Sequence, residues 1–143
     1  LAVLRILEHI PFDLQGKHVT IINHSTIVGK PLAALCLNRN ATVSVCHVYT
    51  KDIMPFTKQS DVVITAAGVP GLITANHVKK ESTVIDVSIV KTDEGVIGDV
   101  DSDSVINHCS YLTPVPGGVG PVTVACALEN MVKTMNLTSK VMV

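Results

Sequence analysis

Two stretches of this chain combine residue types in an order that could do chemistry. The first is Asn23-His24-Ser25-Thr26-Ile27-Val28-Gly29-Lys30-Pro31. Small polar side chains, a glycine and a proline here read as a loop opening onto a helix N-terminus. Unpaired N–H groups and the helix dipole favour an anion at such a place, which suits a phosphate or a ribose. The GxGxxG fingerprint of many dinucleotide sites is absent, and a plain strand-to-helix turn fits the same letters. The second stretch is Thr113-Pro114-Val115-Pro116-Gly117-Gly118-Val119-Gly120-Pro121-Val122-Thr123-Val124. Pro114 and Pro116 fix φ, while Gly117, Gly118 and Gly120 permit positive φ or close backbone approach. The loop is therefore stiff and low in bulk, more restricted than a simple turn before a helix requires.

Other candidates are weaker. His47 follows a predicted strand, where either a ligand contact or a structural role fits it, while His9, His18, His77 and His108 read as surface or packing residues. Asp99, Asp101 and Asp103 alternate like calcium ligands, but Ser104 stands where the turn glycine belongs and no glutamate closes the loop. Helix capping by Asp101 or Ser102 is the simpler reading. Ser25 has no evident His/Asp partner and reads as a hydrogen-bonding loop residue. Cys36, Cys46, Cys109 and Cys126 form no CxxC pair and no zinc spacing with histidine, so buried reduced thiols and no metal site are expected. Asn40-Ala41-Thr42 and Asn136-Leu137-Thr138 match the glycosylation sequon, a match common by chance.

The elements that must position these residues follow from periodicity. Leu1 to Ile10 has helical apolar spacing, stopped by Pro11. Strands are predicted at His18–Ile22, Thr42–Cys46, Asp61–Thr65, Thr83–Val87 and Ser110–Leu112. Helices are predicted at Gly29–Asn38, Asp52–Gln59, Thr74–Lys79 (with Thr74 as N-cap), Asp101–Asn107 and Val119–Thr134. Gly95 and Gly98 punctuate a small hairpin, and Lys79-Lys80-Glu81 is a solvated turn. Strands alternating with helices imply right-handed crossovers and an open, doubly wound, mostly parallel sheet in one α/β domain. Ligands bind such sheets at the carboxyl ends of the strands. Asn23-His24-Ser25, Cys46-His47, Ala66-Ala67-Gly68 and Val87-Ser88-Ile89 all fall there.

Composition narrows the partners. Among 143 residues, 47% are apolar and 16% charged, with a formal net charge of -1, which excludes a disordered chain. Aromatics are 3% and no basic stripe stands out, so no nucleic-acid surface is expected. Apolar runs are too short for a membrane span and no signal peptide is visible. A cytoplasmic location is expected. The chain begins inside a helix-like stretch, which reads as a fragment of a longer protein.

Gly16 to Thr134 resembles the C-terminal, cofactor-binding domain of the bifunctional methylenetetrahydrofolate dehydrogenase/cyclohydrolases. The resemblance rests on Thr-Pro-Val-Pro-Gly-Gly-Val-Gly-Pro at 113–121 and Ser-x-x-Val-Gly-x-Pro at 25–31. Val-Ile-Asp-Val at 84–87 and Gly-Asp-Val at 98–100 match in order and spacing. It implies a Rossmann-like domain at 16–143, with 1–15 leading in from an absent N-terminal catalytic domain, and usually a homodimer. It also implies hydride transfer from methylenetetrahydrofolate to NAD or NADP, then hydrolysis to 10-formyltetrahydrofolate in one-carbon metabolism and purine biosynthesis. By position, Asn23, His24, Ser25, Gly29, His47, Val48, Ala67, Gly68, Ile89 and Thr123 are the expected cofactor contacts. Pro116, Gly117 and Gly118 belong to the loop facing the folate.

The chain also departs from the family. The catalytic tyrosine and lysine of a Tyr-x-x-x-Lys motif are missing, since neither Tyr49 nor Tyr111 has a lysine four residues later. No catalytic residue is therefore expected in this chain, and the folate would bind only with the missing half. Asn23-His24-Ser25 stands where members carry Gly-Arg-Ser or Gly-Ala-Ser. Asn23 would tolerate the loss of glycine in a left-handed conformation, with its side chain crowding the pyrophosphate. His24 and Val48 replace donors to the 2′-phosphate, which predicts weakened NADP preference. Ser88 and Val90 stand where the family has glycine and asparagine. The alternative function is a non-catalytic nucleotide-binding or dimerisation module from a diverged pseudoenzyme.

Overall fold

A computed structural model describes the backbone of residues 1–141 and the side chains of 1–136. Its elements are helices α1 (Ala2–His9), α2 (Gly29–Leu37), α3 (Met54–Thr57), α4 (Ser102–Val105) and α5 (Val119–Val141), and strands β1 (His18–Ile22), β2 (Thr42–Cys46), β3 (Val62–Thr65), β4 (Thr83–Asp86), β5 (Val90–Thr92), β6 (Gly95–Ile97) and β7 (Tyr111–Leu112). Five strands form one sheet in the order β2-β1-β3-β4-β7, with every neighbouring pair parallel. β5 and β6 make the separate antiparallel hairpin that Gly95 and Gly98 predict.

The central strands are buried on both faces, which is why they read as unbroken apolar runs. Val19, Ile21, Val62, Ile64 and Ile85 point to one face, where they pack with α1, α2 and α5 through Leu4, Leu7, Leu32, Cys36, Val119 and Cys126. Ile22, Val63 and Val84 point to the other, against Ile73, Val78, Val100 and Val105. Alternate residues thus feed two cores, and the sheet is doubly wound. α1 lies inside the first core; Arg5 reaches from it to Glu129 on α5 at 2.9 Å. Among the described residues the cysteines are free, and burial pushes the thiols of Cys36, Cys46 and Cys109 up, away from thiolate formation.

Several predicted boundaries shift. The helix expected over Asp52–Gln59 shrinks to one turn at Met54–Thr57. There Asp52 accepts the Met54 amide, and Ser60 turns back to the Phe56 carbonyl and to Thr20 inside the sheet. Thr74 does precede a helical turn, but only the 3-10 turn Ala75–His77, which stops because Val78 is extended. The predicted capping by Asp101 fails: Asp101 sits at the N-cap of α4 without a side-chain cap. Instead its carbonyl accepts the Ser104 hydroxyl. The last helix runs past Thr134 to Val141. Val124, Leu128, Met131, Val132 and Met135 form an exposed apolar stripe along it.

Candidate functional site

Strand order places the site. β1 leads outward to β2 and the chain then returns to β3 on the other side of β1, so the switch point lies between β1 and β3. Asn23 stands at that point, immediately after β1. Its Oδ1 accepts the Ser25 amide at 2.7 Å and the Gly29 amide at 3.2 Å, and its Nδ2 donates to the Ala66 carbonyl at 2.7 Å. Asn23 is not left-handed and its side chain folds into the loop, which corrects the expectation from sequence. An amide that donates and accepts at once can tie the β1 and β3 loops together, so nothing from it projects over the helix N-terminus.

The Ser25 hydroxyl accepts the Val28 amide at 3.1 Å and its carbonyl accepts the Lys30 amide, completing the turn into α2. Among the described residues the Thr26 and Ile27 amides then have no partner. These are the free donors an anion would meet. Gly29 is required by contact: a Cβ there would overlap the Asn23 carbonyl. The loop therefore fits a phosphate-bearing ligand on its own geometry, without GxGxxG.

The ends of β3 and β4 are shaped by two buried acids that sequence reasoning did not select. Asp99, fully buried, accepts the Thr65 hydroxyl and the Ala67 amide on Oδ2, and the Val69 amide on Oδ1 at 2.7 Å. Asp86 accepts Ser88 at 3.0 Å and Val100 at 2.9 Å, while its own amide donates to the Thr113 hydroxyl. The Ser88 hydroxyl accepts the Gly68 amide at 3.1 Å and straps the two loops together. The amides of Ala67 and Gly68 are thus already engaged. The available signal was acids closing apolar runs, in Val-Ile-Asp-Val and Gly-Asp-Val.

Burial, aided by the nearby Asp99 charge and opposed by its amide donors, raises the Asp86 carboxyl above its ordinary value near 3.8. The folded state thus holds this proton more tightly than the unfolded chain does. Its contribution to stability falls as pH rises from the unfolded value to the higher folded one, and is flat beyond. Asp86→Asn should remove that fall; denaturant unfolding of both proteins across the acid range measures it, and identical pH slopes would refute it.

His24 is exposed and His47 half-buried, and their rings lie 4.8 Å apart. Val48 is exposed and its side chain offers no donor. Ile89, largely exposed, lines a cavity of about 220 Å³ with Pro116, Gly117 and Gly118. Gly117 has φ 98 and Gly118 packs on the Pro114 carbonyl, which explains both glycines of the second motif. Thr123 instead lines a larger apolar groove of about 410 Å³ with Ile27, Val28 and Pro31, and its hydroxyl is tied to the Val119 carbonyl. Both cavities share Val87 and Val119, so together they run from the β1–α2 loop to the second motif. Among the described residues no three His, Cys, Asp or Glu side chains gather as metal ligands, and no helix is long and apolar enough to cross a membrane.

The family model for the tetrahydrofolate dehydrogenase/cyclohydrolase NAD(P)-binding domain matches residues 1–139. The chain belongs to that family. Bifunctional protein FolD of Methanococcoides burtonii is 47% identical over 96% of this chain and 48% of its own length. Its counterpart in Hydrogenobaculum is 51% identical over 93% of this chain and 48% of its own length. Among solved structures, the Campylobacter jejuni FolD dehydrogenase/cyclohydrolase matches with TM-score 0.93 and 46% identity, covering 96% of this chain and 49% of that one. The Trypanosoma brucei FolD enzyme, solved with NADP cofactor and an inhibitor, matches with TM-score 0.91 and 37% identity, covering 96% and 50%. This NAD(P)-binding domain therefore spans about half the length of the FolD relatives it matches.

Proposed function

We propose that this chain is the cofactor half of a methylenetetrahydrofolate dehydrogenase/cyclohydrolase, holding NAD or NADP across the carboxyl ends of β1, β3 and β4. The observation that carries this reading is the groove that starts at Ile27, next to the free Thr26 and Ile27 amides, and meets the Ile89–Gly118 cavity at Val87 and Val119. The diphosphate lies at the N-terminus of α2, and the adenosine ribose lies beside His24, His47 and Val48. The nicotinamide end lies past Ala67 and Gly68, between Ile89 and Thr123, and Pro116, Gly117 and Gly118 face the folate. A bound nicotinamide would supply the hydride acceptor. The chain's own residues bind, orient and exclude water, with Ser88 and the two buried acids keeping the loops in place.

Residues 1–15 lead in from an N-terminal half that carries the acid/base groups and the folate contacts. Hydride transfer needs the folate in near-attack geometry, and water attack needs a positioned acid or base. The 143-residue chain is therefore expected to turn over neither methylenetetrahydrofolate nor methenyltetrahydrofolate; activity of this chain alone, followed by nicotinamide absorbance, would contradict that. The whole protein is proposed to be a cytoplasmic homodimer supplying one-carbon units for purine synthesis.

Loss of two phosphate donors, at His24 and Val48, removes charge-assisted bonds of roughly 1.5–3 kcal/mol each. NADP preference is therefore reduced. Calorimetric titration of the chain with NAD and NADP at low salt and about pH 8 is expected to give saturable binding of both, with NADP favoured by less than about tenfold. A larger NADP preference would sink the reduced preference. Binding of neither would sink the cofactor reading and favour a non-catalytic module.

A further inference from the structure

Parallel pairing aligns Ile22 with Cys46, so the residues that follow β1 and β2 emerge side by side. This brings the His24 and His47 rings to a centroid distance of 4.8 Å with an interplanar angle of 44°. In dinucleotide folds the residue ending the second strand, about 20 positions past the first loop, reads the ribose 2′ position: an acid takes a free hydroxyl and a cation takes a phosphate. His47 holds that place. An imidazole is neither fixed sign, because it gains its charge within the physiological range. We propose that the His24–His47 pair makes this domain a pH-dependent reader of the ribose 2′ position, selecting the 2′-phosphorylated dinucleotide when protonated and losing that selectivity when neutral.

His47 Nδ1 accepts the Tyr49 amide at 3.2 Å, which in the neutral ring places the proton on Nε2 and leaves that N–H free to donate. A second proton would displace the Tyr49 amide and set like charge against His24. The Tyr49 ring meets His47 edge-on at 5.9 Å. Among the described residues no carboxylate oxygen lies within 4.0 Å of a ring nitrogen of either histidine to hold a charge in the free protein. Asp52, on the same loop as His47, is turned to the Met54 amide, and the β3 loop brings only Ala66, Ala67 and Gly68. Lys30 on α2 and Lys51 after β2 are the exposed fixed cations of these elements. A phosphomonoester dianion arriving beside the two rings supplies the missing counter-charge, so its binding takes up protons. A free 2′-hydroxyl does not.

The inference rests on the cofactor reading above, and the test separates the two. The 143-residue chain is titrated with NAD and with NADP at about pH 8 and about pH 6.5, each in two buffers of different ionisation heat. The NADP-to-NAD affinity ratio is expected to rise about tenfold toward acid, with net proton uptake on binding NADP and little on binding NAD. His47→Gln and His24→Gln are each expected to flatten the change. A ratio that does not move with pH, or one that still moves in both variants, overturns the switch and leaves the cofactor reading intact. Binding of neither dinucleotide at either pH overturns both. Titration with adenosine 2′-monophosphate against adenosine provides the same contrast without the nicotinamide end, and equal pH responses there would also overturn the switch.

Discussion

Asp99→Ala is expected to lower the unfolding free energy by about 3–5 kcal/mol, as breaking a buried charged hydrogen-bond set does. The Asp99 carboxylate is fully buried and is the shared acceptor for the Ala67 and Val69 amides and the Thr65 hydroxyl. Truncation removes the acceptor of the Ala67 and Val69 amides. The β3 loop carries Gly68 and the strap to Ser88, so cofactor affinity should fall with stability. Asp99→Asn keeps a single acceptor oxygen and is expected to fall between the two. Urea unfolding of the three proteins measures the series; a loss under about 1 kcal/mol for the alanine variant would mean that the loop holds itself without the acid.

Gly29→Ala is the second large effect. A methyl group at this position would run into the backbone carbonyl of Asn23, a residue whose side-chain amide is bonded to Ser25, Gly29 and Ala66. The obstruction is backbone and cannot rotate away, so α2 or the loop must shift. Overpacking of this kind costs about 1–3 kcal/mol. The Thr26 and Ile27 amides move with the loop, and dinucleotide affinity is expected to drop at least about tenfold. Gly120→Ala is the stability control: its added carbon would meet only Ile89 Cδ1, at 3.9 Å. If both variants melt like the parent, or if Gly29→Ala binds dinucleotide normally, the tight loop is not what shapes the phosphate site.

The two glycine-bearing motifs were legible before the fold because restricted residue types crowd into short spans, and both frame the groove. Their partners were not. Asp86 and Asp99 look like ordinary polar letters in sequence, and only the packed structure shows that both are buried and accept the amides of neighbouring loops. Asn23 was legible as a departure and misjudged in consequence. Whether an amide side chain projects into a ligand site or folds back depends on a carbonyl 43 residues away, at Ala66. The helix expected around α3 is shorter for a similar reason: Thr20, 40 residues away, holds Ser60 against the sheet.

The sequence by itself determined the alternation of strands and helices, the parallel sheet, the family and the two loops of the groove. Each of these depends on local periodicity or on an unbroken run of letters, which survive without knowledge of contacts. Tertiary structure alone decided where the loops stand relative to one another, which amides remain free for a ligand, and that His24 and His47 meet. Those facts follow from the register of β1 on β2 and from buried carboxylates that draw amides out of distant loops. Hydrogen bonds and ring contacts between residues tens of positions apart leave no periodic trace in a sequence.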